Sequence, residues 1–316
     1  MLSKDIGIIG YGSAPYDKKP RRTIFGYLGE AASNALKSAG ISKDELNGLS
    51  VDATNLGSDT AVTDYLLPHG HGGPPGLHGI IQRKHMELYG TTREQLGRIA
   101  VDERANARLN EAALLRGPMT LDDYLNAKLV ADPLRLYDCV MPCSGAEALI
   151  IGPLDRVPRG KGVRLVSALE RHNHPVGELA PVRGGWEVFR DALFNEAGYA
   201  HADMNFMNCY DDFPIMAAIQ IEDLGFCKKG EVGRFLDANR LTHDGSFPFN
   251  TGGGQLSTGQ AGGSAGLLGL VEATRQLRGE GGARQVADAK RGIISGFGMI
   301  SYGHGLAAAA IIVEQA

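Results

Sequence analysis

The sequence lacks several features that would assign it to a whole class of proteins. No run approaches the roughly 18 apolar residues that a membrane span needs, and the first residues lack the layout of a signal peptide. Lysine and arginine, 32 together, are outnumbered by 36 aspartates and glutamates, which argues against binding to nucleic acid. Only four cysteines occur, none of them in a CxxC pair, so we expect reduced thiols in a cytoplasmic protein.

Two short patterns suggest cofactor sites but fail in detail. Gly10-Tyr-Gly12 follows a predicted strand, yet Pro15 stands where the third glycine of a dinucleotide fingerprint belongs. Three histidines fall in the Pro/Gly-rich residues 68–79 without helical spacing or neighbouring carboxylates. They are His69, His71 and His78. We interpret residues 68–79 as a solvated or substrate-lining loop, and we expect neither a nucleotide cofactor nor a metal.

What the chain does contain is glycine, at 44 of 316 residues roughly twice the usual share of about 7%. Apolar runs predict strands at residues 6–10, 48–53, 146–152, 163–169, 204–209, 292–299 and 306–313. Periodic segments and capping boxes predict helices at residues 23–39, 92–116, 212–224 and 264–277, with short ones starting at Ser42 and Thr120. Residues 54–138 contain no convincing strand. This alternation predicts an α/β protein, with the last two strands antiparallel.

Three segments of the second half carry candidate chemistry. Asn208-Cys-Tyr-Asp-Asp-Phe213 lies where a strand gives way to a helix, a common place for catalytic groups in α/β folds. Residues 250–263 form a glycine-rich loop before a helix, where backbone can approach a ligand closely. Ser301-Tyr-Gly-His-Gly305 places two ionisable side chains on a tight turn.

In their order and position, these segments resemble the thiolase superfamily. Residues 138–151 and 222–230 add to the resemblance, which is closest to the sterol-carrier-protein type of thiolase and to the bacterial steroid side-chain aldolases. The resemblance implies two related βαβ halves packed in α-β-α-β-α layers. Residues 1–160, including a loop region at 54–138, would form the N-terminal half, and residues 161–316 the C-terminal half.

The departures from true thiolases point to a different reaction. Tyr210 stands where those enzymes carry the histidine of a His-Asp-Cys-Phe block, and Gln260 replaces the histidine of Gly-His-Pro. No cysteine occurs between residues 299 and 305, where degradative thiolases carry an acid/base cysteine. The third strand, the helix with the nucleophilic cysteine and the fourth strand of the N-terminal half have no counterpart. The N-terminal half is therefore abbreviated.

The aldolase-like relatives imply retro-aldol cleavage of a β-hydroxyacyl-CoA, which needs proton transfers but no nucleophile. By the resemblance, Tyr210 and Tyr302 make these transfers, in an order left open. A tyrosine of pKa about 10 is only about 0.1% ionised at pH 7, so His304 is a candidate for stabilising a tyrosinate. The Gln260 amide could face the thioester oxygen. We expect four glycines to approach coenzyme A, which is part of the substrate: Gly253, Gly254, Gly259 and Gly262.

Two other functions stay open at this stage. The missing segment favours a non-catalytic acyl-CoA-binding subunit, and a true acetyl-CoA acyltransferase would use a cysteine that we cannot assign. The resemblance implies a homodimer and allows a partner protein with an OB-fold and zinc ribbon that handles acyl-CoA. The acyl group cannot be read from the sequence, although a steroid side chain is among the compatible choices.

Overall fold

A computed structural model describes residues 4–50, 67–70, 73–301 and 304–316 of the chain. Its strands are β1 (Ile6–Asp17), β2 (Leu129–Ala131), β3 (Leu134–Arg135), β4 (Ser144–Pro153), β5 (Val163–His172), β6 (Phe206–Cys209), β7 (Arg291–Ser301) and β8 (His304–Gln315). Its α-helices are α1 (Ile24–Ala39), α2 (Pro74–Tyr89), α3 (Arg93–Arg108), α4 (Leu121–Leu125), α5 (Trp186–Ala197), α6 (Pro214–Asp223), α7 (Val232–Ala238), α8 (Gly254–Thr258) and α9 (Ala265–Leu277).

Six of the strands form one sheet in the order β4-β1-β5-β8-β7-β6. All neighbouring strands are antiparallel except β6 and β7, which are parallel. The antiparallel pairing of β7 with β8 confirms the prediction for the last two strands. Strands β1 and β4 from the first half therefore join the strands of the second half, with β1 meeting β5 only around Gly7 and Ile8.

Helix α6 lies in the centre of the core, with all ten of its residues buried. An all-buried helix needs protein on every side, and α2, α3, α5 and α7 supply this cover. Because α6 begins five residues after β6 ends, the intervening segment 210–213 is held between the sheet and the core helix.

Glycines in β1 serve packing. The strand extends beyond the predicted residues 6–10 to Asp17, and α1 packs directly on it. A Cβ atom at Gly12 would lie 2.4 Å from the Ala35 nitrogen, and one at Gly10 would lie 2.6 Å from the Ala39 Cβ. The Gly10-Tyr-Gly12 pattern thus lets a helix approach a strand closely.

The prediction of a loop over residues 68–79 is wrong from Pro74 onward, because α2 begins there. Proline suits the first helical turn, where its missing N–H leaves no hydrogen bond unmade. His78 is buried in α2, its Nδ1 lies 2.9 Å from the Pro74 carbonyl oxygen, and its ring stacks on Phe213 at 4.3 Å. Burial lowers the pKa of His78 to about 4, so it is a neutral core residue. His69 lies in a short 3-10 turn, and His71 lies outside the described residues.

Other boundaries also differ from the predictions. The β2–β3 hairpin lies within residues 54–138, where we predicted no strand. Helix α3 ends at Arg108 rather than near residue 116, because the Leu114 and Leu115 N–H groups donate to the carbonyls of Thr258 and Ser257. Residues 48–50 of the predicted strand 48–53 have no regular structure, and the rest lie outside the described residues. No helix within the described ranges has the length and apolar character to cross a membrane.

Candidate active site

The backbone of Tyr210 is fixed where β6 ends. Its N–H donates to the Ser295 carbonyl of β7 over 3.0 Å, and its carbonyl accepts from Gln220 Nε2 of α6 over 2.7 Å. The Ser295 hydroxyl in turn donates to the Gln220 Oε1 atom over 2.7 Å. Sheet and core helix therefore hold Tyr210 from both sides, as positioning of a reactive group requires.

The Tyr210 hydroxyl lies between a donor and an acceptor. Gln260 Nε2 donates to the tyrosine oxygen over 3.3 Å, and the hydroxyl donates to Asp212 Oδ2 over 3.1 Å. The Gln260 backbone forms hydrogen bonds with Met141 and Cys143, which lie just before β4. The structure thus brings together Tyr210 and Gln260, two residues singled out from the sequence 50 positions apart.

Burial dominates the electrostatics around Tyr210. The Phe297 ring lies 6.3 Å from the Tyr210 ring and 5.8 Å from Trp186. Burial, followed by the charge of Asp212, raises the pKa of Tyr210 far above its usual value, although the Gln260 hydrogen bond lowers it. Burial, followed by the charge of Asp211, raises the pKa of Asp212 to about 7. Tyr210 is therefore a neutral phenol at pH 7.

Asp211 anchors the glycine-rich loop. Its carboxylate accepts from the Gln255 and Leu256 N–H groups at the start of α8, over 2.8 and 3.0 Å. Glu103 of α3 also contacts Asp211 through a hydrogen bond, and burial followed by the neighbouring Asp211 charge raises the pKa of Glu103 strongly. Glu103 accepts from Asn250 Nδ2 over 2.7 Å, and Asn250 Oδ1 accepts from the Cys209 N–H. Burial and the neighbouring Asp211 charge therefore favour the protonated form of Glu103.

Protein atoms fill the space beside three of the four predicted coenzyme A glycines. A Cβ at Gly254 would lie 2.2 Å from Asp211 Oδ2, one at Gly253 would lie 2.5 Å from the Ala107 Cβ, and one at Gly259 would lie 2.8 Å from Cys143 Sγ. All three have positive φ, as has Gly262 at +56° in the turn before α9. Close packing accounts for these glycines in the folded chain, and their role in binding coenzyme A remains a prediction.

A cavity beside Tyr210 contains a second tyrosine–carboxyl pair. Glu147 of β4 accepts from the Tyr16 hydroxyl over 2.8 Å and from the Ser13 hydroxyl. Burial raises the pKa of Glu147 to about 7, although both hydrogen bonds lower it. Gln255 also borders this cavity, and its buried Oε1 has no hydrogen-bond partner in the described structure. The cavity is lined by Ser13, Tyr16, Glu147, Tyr210, Gln255 and the first turn of α9, among others.

Comparison with known proteins identifies the family. Residues 189–312 match the family model described as thiolase C-terminal domain-like. An acetyl-CoA acetyltransferase of Methanothermobacter thermautotrophicus is 34% identical over 230 residues, which are 71% of this chain and 60% of that protein. A steroid side-chain-cleaving aldolase of Thermomonospora curvata is 31% identical over 233 residues, 71% of this chain and 59% of that protein. The chain belongs to the thiolase superfamily.

A solved structure confirms the thiolase-like fold. The chain matches the Ltp2-ChsH2(DUF35) aldolase with a TM-score of 0.86 at 23% identity, covering 99% of this chain and 98% of the other. The relatives fall in the branch of sterol-carrier-protein thiolases and side-chain aldolases that the sequence resembles. The chain spans about three fifths of the length of the curated relatives that it matches. The domain boundary at residue 160 remains a prediction.

The thiols of this thiolase-superfamily chain are poorly suited to nucleophilic attack. Burial raises the pKa of Cys139, Cys143 and Cys227 to about 12, and that of the fully buried Cys209 well above its usual value. All four are free cysteines. Because the thiolate is the nucleophilic form, none is activated for covalent thioester chemistry at neutral pH.

Two predicted site residues cannot be located. Tyr302 and the side chain of His304 lie outside the described part of the chain. Conversely, sequence reasoning singled out neither Asp212 nor Glu103 nor Glu147 as a site residue. For Asp212, the only signal in the sequence was its position two residues after Tyr210. Across the described ranges, no cluster of three or more histidine, cysteine, aspartate or glutamate side chains could hold a metal.

Proposed function

We propose that this chain catalyses retro-aldol cleavage of a β-hydroxyacyl-CoA thioester, with a steroid side chain as the substrate class. The observation that carries the proposal is the half-buried Tyr210 beside a cavity, with its hydroxyl held between Gln260 and Asp212. Four thiols with raised pKa values add support, because this cleavage needs no nucleophile. The relative named as a steroid side-chain-cleaving aldolase supports the substrate class.

In the proposed mechanism, the Tyr210 oxygen accepts the proton of the β-hydroxyl group and gives up its own proton in the same step, as the bond between the α- and β-carbons breaks. The electrons of that bond form the thioester enolate, and the β-carbon becomes a carbonyl. Tyr302 then delivers a proton to the α-carbon. The sequence predicts a proton transfer by Tyr302 but leaves open which tyrosine is the acid, so this order is part of the proposal. Gln260 donates a hydrogen bond that orients the Tyr210 oxygen during the proton transfer.

The assay is direct. Purified protein is incubated with a steroid β-hydroxyacyl-CoA, and the ketone and the shortened acyl-CoA are quantified by chromatography. We expect Tyr210→Phe and Tyr302→Phe each to lower kcat about 100- to 10,000-fold, the usual range for losing a proton-transfer group. Tyr89→Phe is the matched control, since Tyr89 lies at the distant end of α2. Full activity in both site variants would show that the assignment is wrong.

Acyl transfer is the second candidate, favoured by the relative named acetyl-CoA acetyltransferase. It predicts thiolysis of acetoacetyl-CoA and loss of activity after thiol alkylation. We expect the opposite, namely unchanged β-hydroxyacyl-CoA cleavage after iodoacetamide treatment, because the thiols stay protonated. Binding of acyl-CoA without turnover of either substrate would favour the third function, a non-catalytic subunit.

For the assembly, we propose a homodimer and an acyl-CoA-handling partner protein. The neighbour whose name joins Ltp2 with ChsH2(DUF35) supports the partner. Size-exclusion chromatography with light scattering tests the homodimer on the chain alone and with a long-chain acyl-CoA. A stable dimer is expected. A monomer that cleaves substrate only after addition of a DUF35-type protein would contradict the homodimer and support the partner.

A further inference from the structure

The Asp212 side chain has an unusual environment. Its Oδ2 atom accepts the hydrogen bond from Tyr210 over 3.1 Å, whereas its Oδ1 atom is buried and has no partner in the described structure. No lysine, arginine or histidine of the described residues forms an ion pair with it. A buried carboxylate normally has hydrogen bonds or a cation to offset its desolvation, so this site retains a carboxyl group at a cost in stability.

Its position relative to the cavity suggests why. Tyr210 is among the residues that line the cavity, whereas Asp212 is not, so the tyrosine is the member of the pair that borders the cavity. We propose that Asp212 is the proton acceptor behind Tyr210, and that it makes the neutral tyrosine a base without a tyrosinate ever forming. This inference rests on the proposed retro-aldol function. Asp212 therefore acts through Tyr210 and does not itself contact the substrate.

The transfer balances in protons and electrons. The β-hydroxyl proton moves to the Tyr210 oxygen while the Tyr210 proton moves to Asp212 Oδ2, as the carbon–carbon bond breaks and its electron pair forms the enolate. The α-carbon gains one proton from Tyr302, which takes up a proton from solvent to complete the cycle. Asp212 afterwards returns its proton to solvent through Tyr210, which resets the pair. Ionising Tyr210 outright would be far less favourable, since burial strongly disfavours its charged form.

Within the described parts of the chain, two ionisable groups act on Asp212 besides the effect of burial. Tyr210 lowers its pKa through the hydrogen bond, and the Asp211 charge raises it. Asp211 is itself bonded to Glu103 and to two backbone N–H groups. A pKa of about 7 leaves Asp212 partly deprotonated at neutral pH and close to the value suited to a proton acceptor.

The test compares Asp212→Asn with Asp223→Asn. Asparagine matches aspartate in size and can still accept the Tyr210 hydrogen bond, but it cannot take up the proton. Asp223 is a matched control because it is also buried, with a pKa raised by burial to about 6, and lies at the opposite end of α6. We expect Asp212→Asn to lower kcat/KM at least 100-fold and to abolish the rise in kcat/KM through about pH 7. Asp223→Asn should keep that rise.

A double variant and a spectroscopic measurement complete the test. Because the two residues act as a unit, Tyr210→Phe with Asp212→Asn should be no slower than Tyr210→Phe alone. Losses that multiply, or an Asp212→Asn enzyme that keeps the wild-type pH profile, would overturn the inference. Carbon-13 NMR of the aspartate carboxyls needs no activity: Tyr210→Phe should raise the pKa of Asp212, and an unchanged titration would also overturn it. Wild-type protein without cleavage activity would instead reject the proposed function.

Discussion

Two tyrosine–carboxyl pairs each place a tyrosine at the same cavity, and they differ in how their hydrogen bonds are used. In the Tyr16–Glu147 pair, both carboxyl oxygens accept hydrogen bonds, from Tyr16 and from Ser13. In the Tyr210–Asp212 pair, one carboxyl oxygen is buried and has no hydrogen-bond partner among the described residues. Yet burial raises the pKa of both carboxyls to about 7. A raised pKa therefore does not by itself distinguish a structural carboxyl from a candidate proton acceptor.

The two regions are also held differently. The first pair joins β1 to β4, neighbouring strands of the sheet. The second lies on the short segment between β6 and α6, and its position depends on the glycine-rich loop beside it. The Glu147 carboxyl, with both oxygens hydrogen-bonded, favours a rigid arrangement. The Asp212 carboxyl retains an oxygen that can still accept a proton. Substitutions can therefore affect one region and leave the other unchanged.

The largest effect is expected at Gly254. Replacement by alanine would place a Cβ 2.2 Å from Asp211 Oδ2 at a φ of +58°, and should cost about 4 kcal/mol of unfolding free energy through overpacking and backbone strain. Gly266→Ala is the matched control on the other side of the cavity, where a Cβ meets nothing within 4 Å. Urea unfolding should give equal or higher stability for that control, because alanine favours helix. Equal losses in the two variants would contradict this account of the loop.

Next in size is the pH dependence of stability that Glu147 contributes. Its pKa is about 7 in the folded protein against an ordinary 4.5. A raised pKa means that this contribution is fully present below pH 4.5 and is lost as pH rises to 7. The loss amounts to about 3 kcal/mol, from 1.36 kcal/mol per pKa unit. Between pH 4.5 and 7.5, the free energy of unfolding measured with urea should fall by about 3 kcal/mol less in Glu147→Gln than in the wild type. Parallel curves for the two proteins would contradict the prediction.

The smallest effect is expected for Tyr16→Phe. Glu147 loses one hydrogen bond but keeps the one from Ser13, so the cost should be about 1 kcal/mol. Because the Tyr16 hydrogen bond lowers the Glu147 pKa, the variant should also titrate at higher pH. Stability curves would show this as a pH-dependent decline that extends above pH 7. A shift to lower pH would indicate that Tyr16 does not donate to Glu147.

Local signals predicted much of the secondary structure. Thr23 caps α1, Gly40 ends it in the left-handed conformation, and Thr92 and Thr120 open helices as their capping boxes predict. Helix α2 was missed because two prolines and several glycines resemble a loop, whereas tertiary burial of residues such as Ile81 and His85 stabilises a helix there. Burial against other elements is not visible in a local pattern.

From the sequence alone, the thiolase relationship could be determined, because it follows from residue types in a recognisable order. The same order predicts Tyr210 and Gln260 as site residues. The partners of those residues depend on the tertiary structure. Asn250 meets Glu103 across 147 positions, and Glu147 meets Tyr16 across 131. Whether a carboxyl is saturated with donors or left with a buried free oxygen is set by such distant contacts. Only the folded chain therefore separates Asp212 from its neighbour Asp211, since burial and hydrogen bonding control the pKa and the capacity to accept a proton.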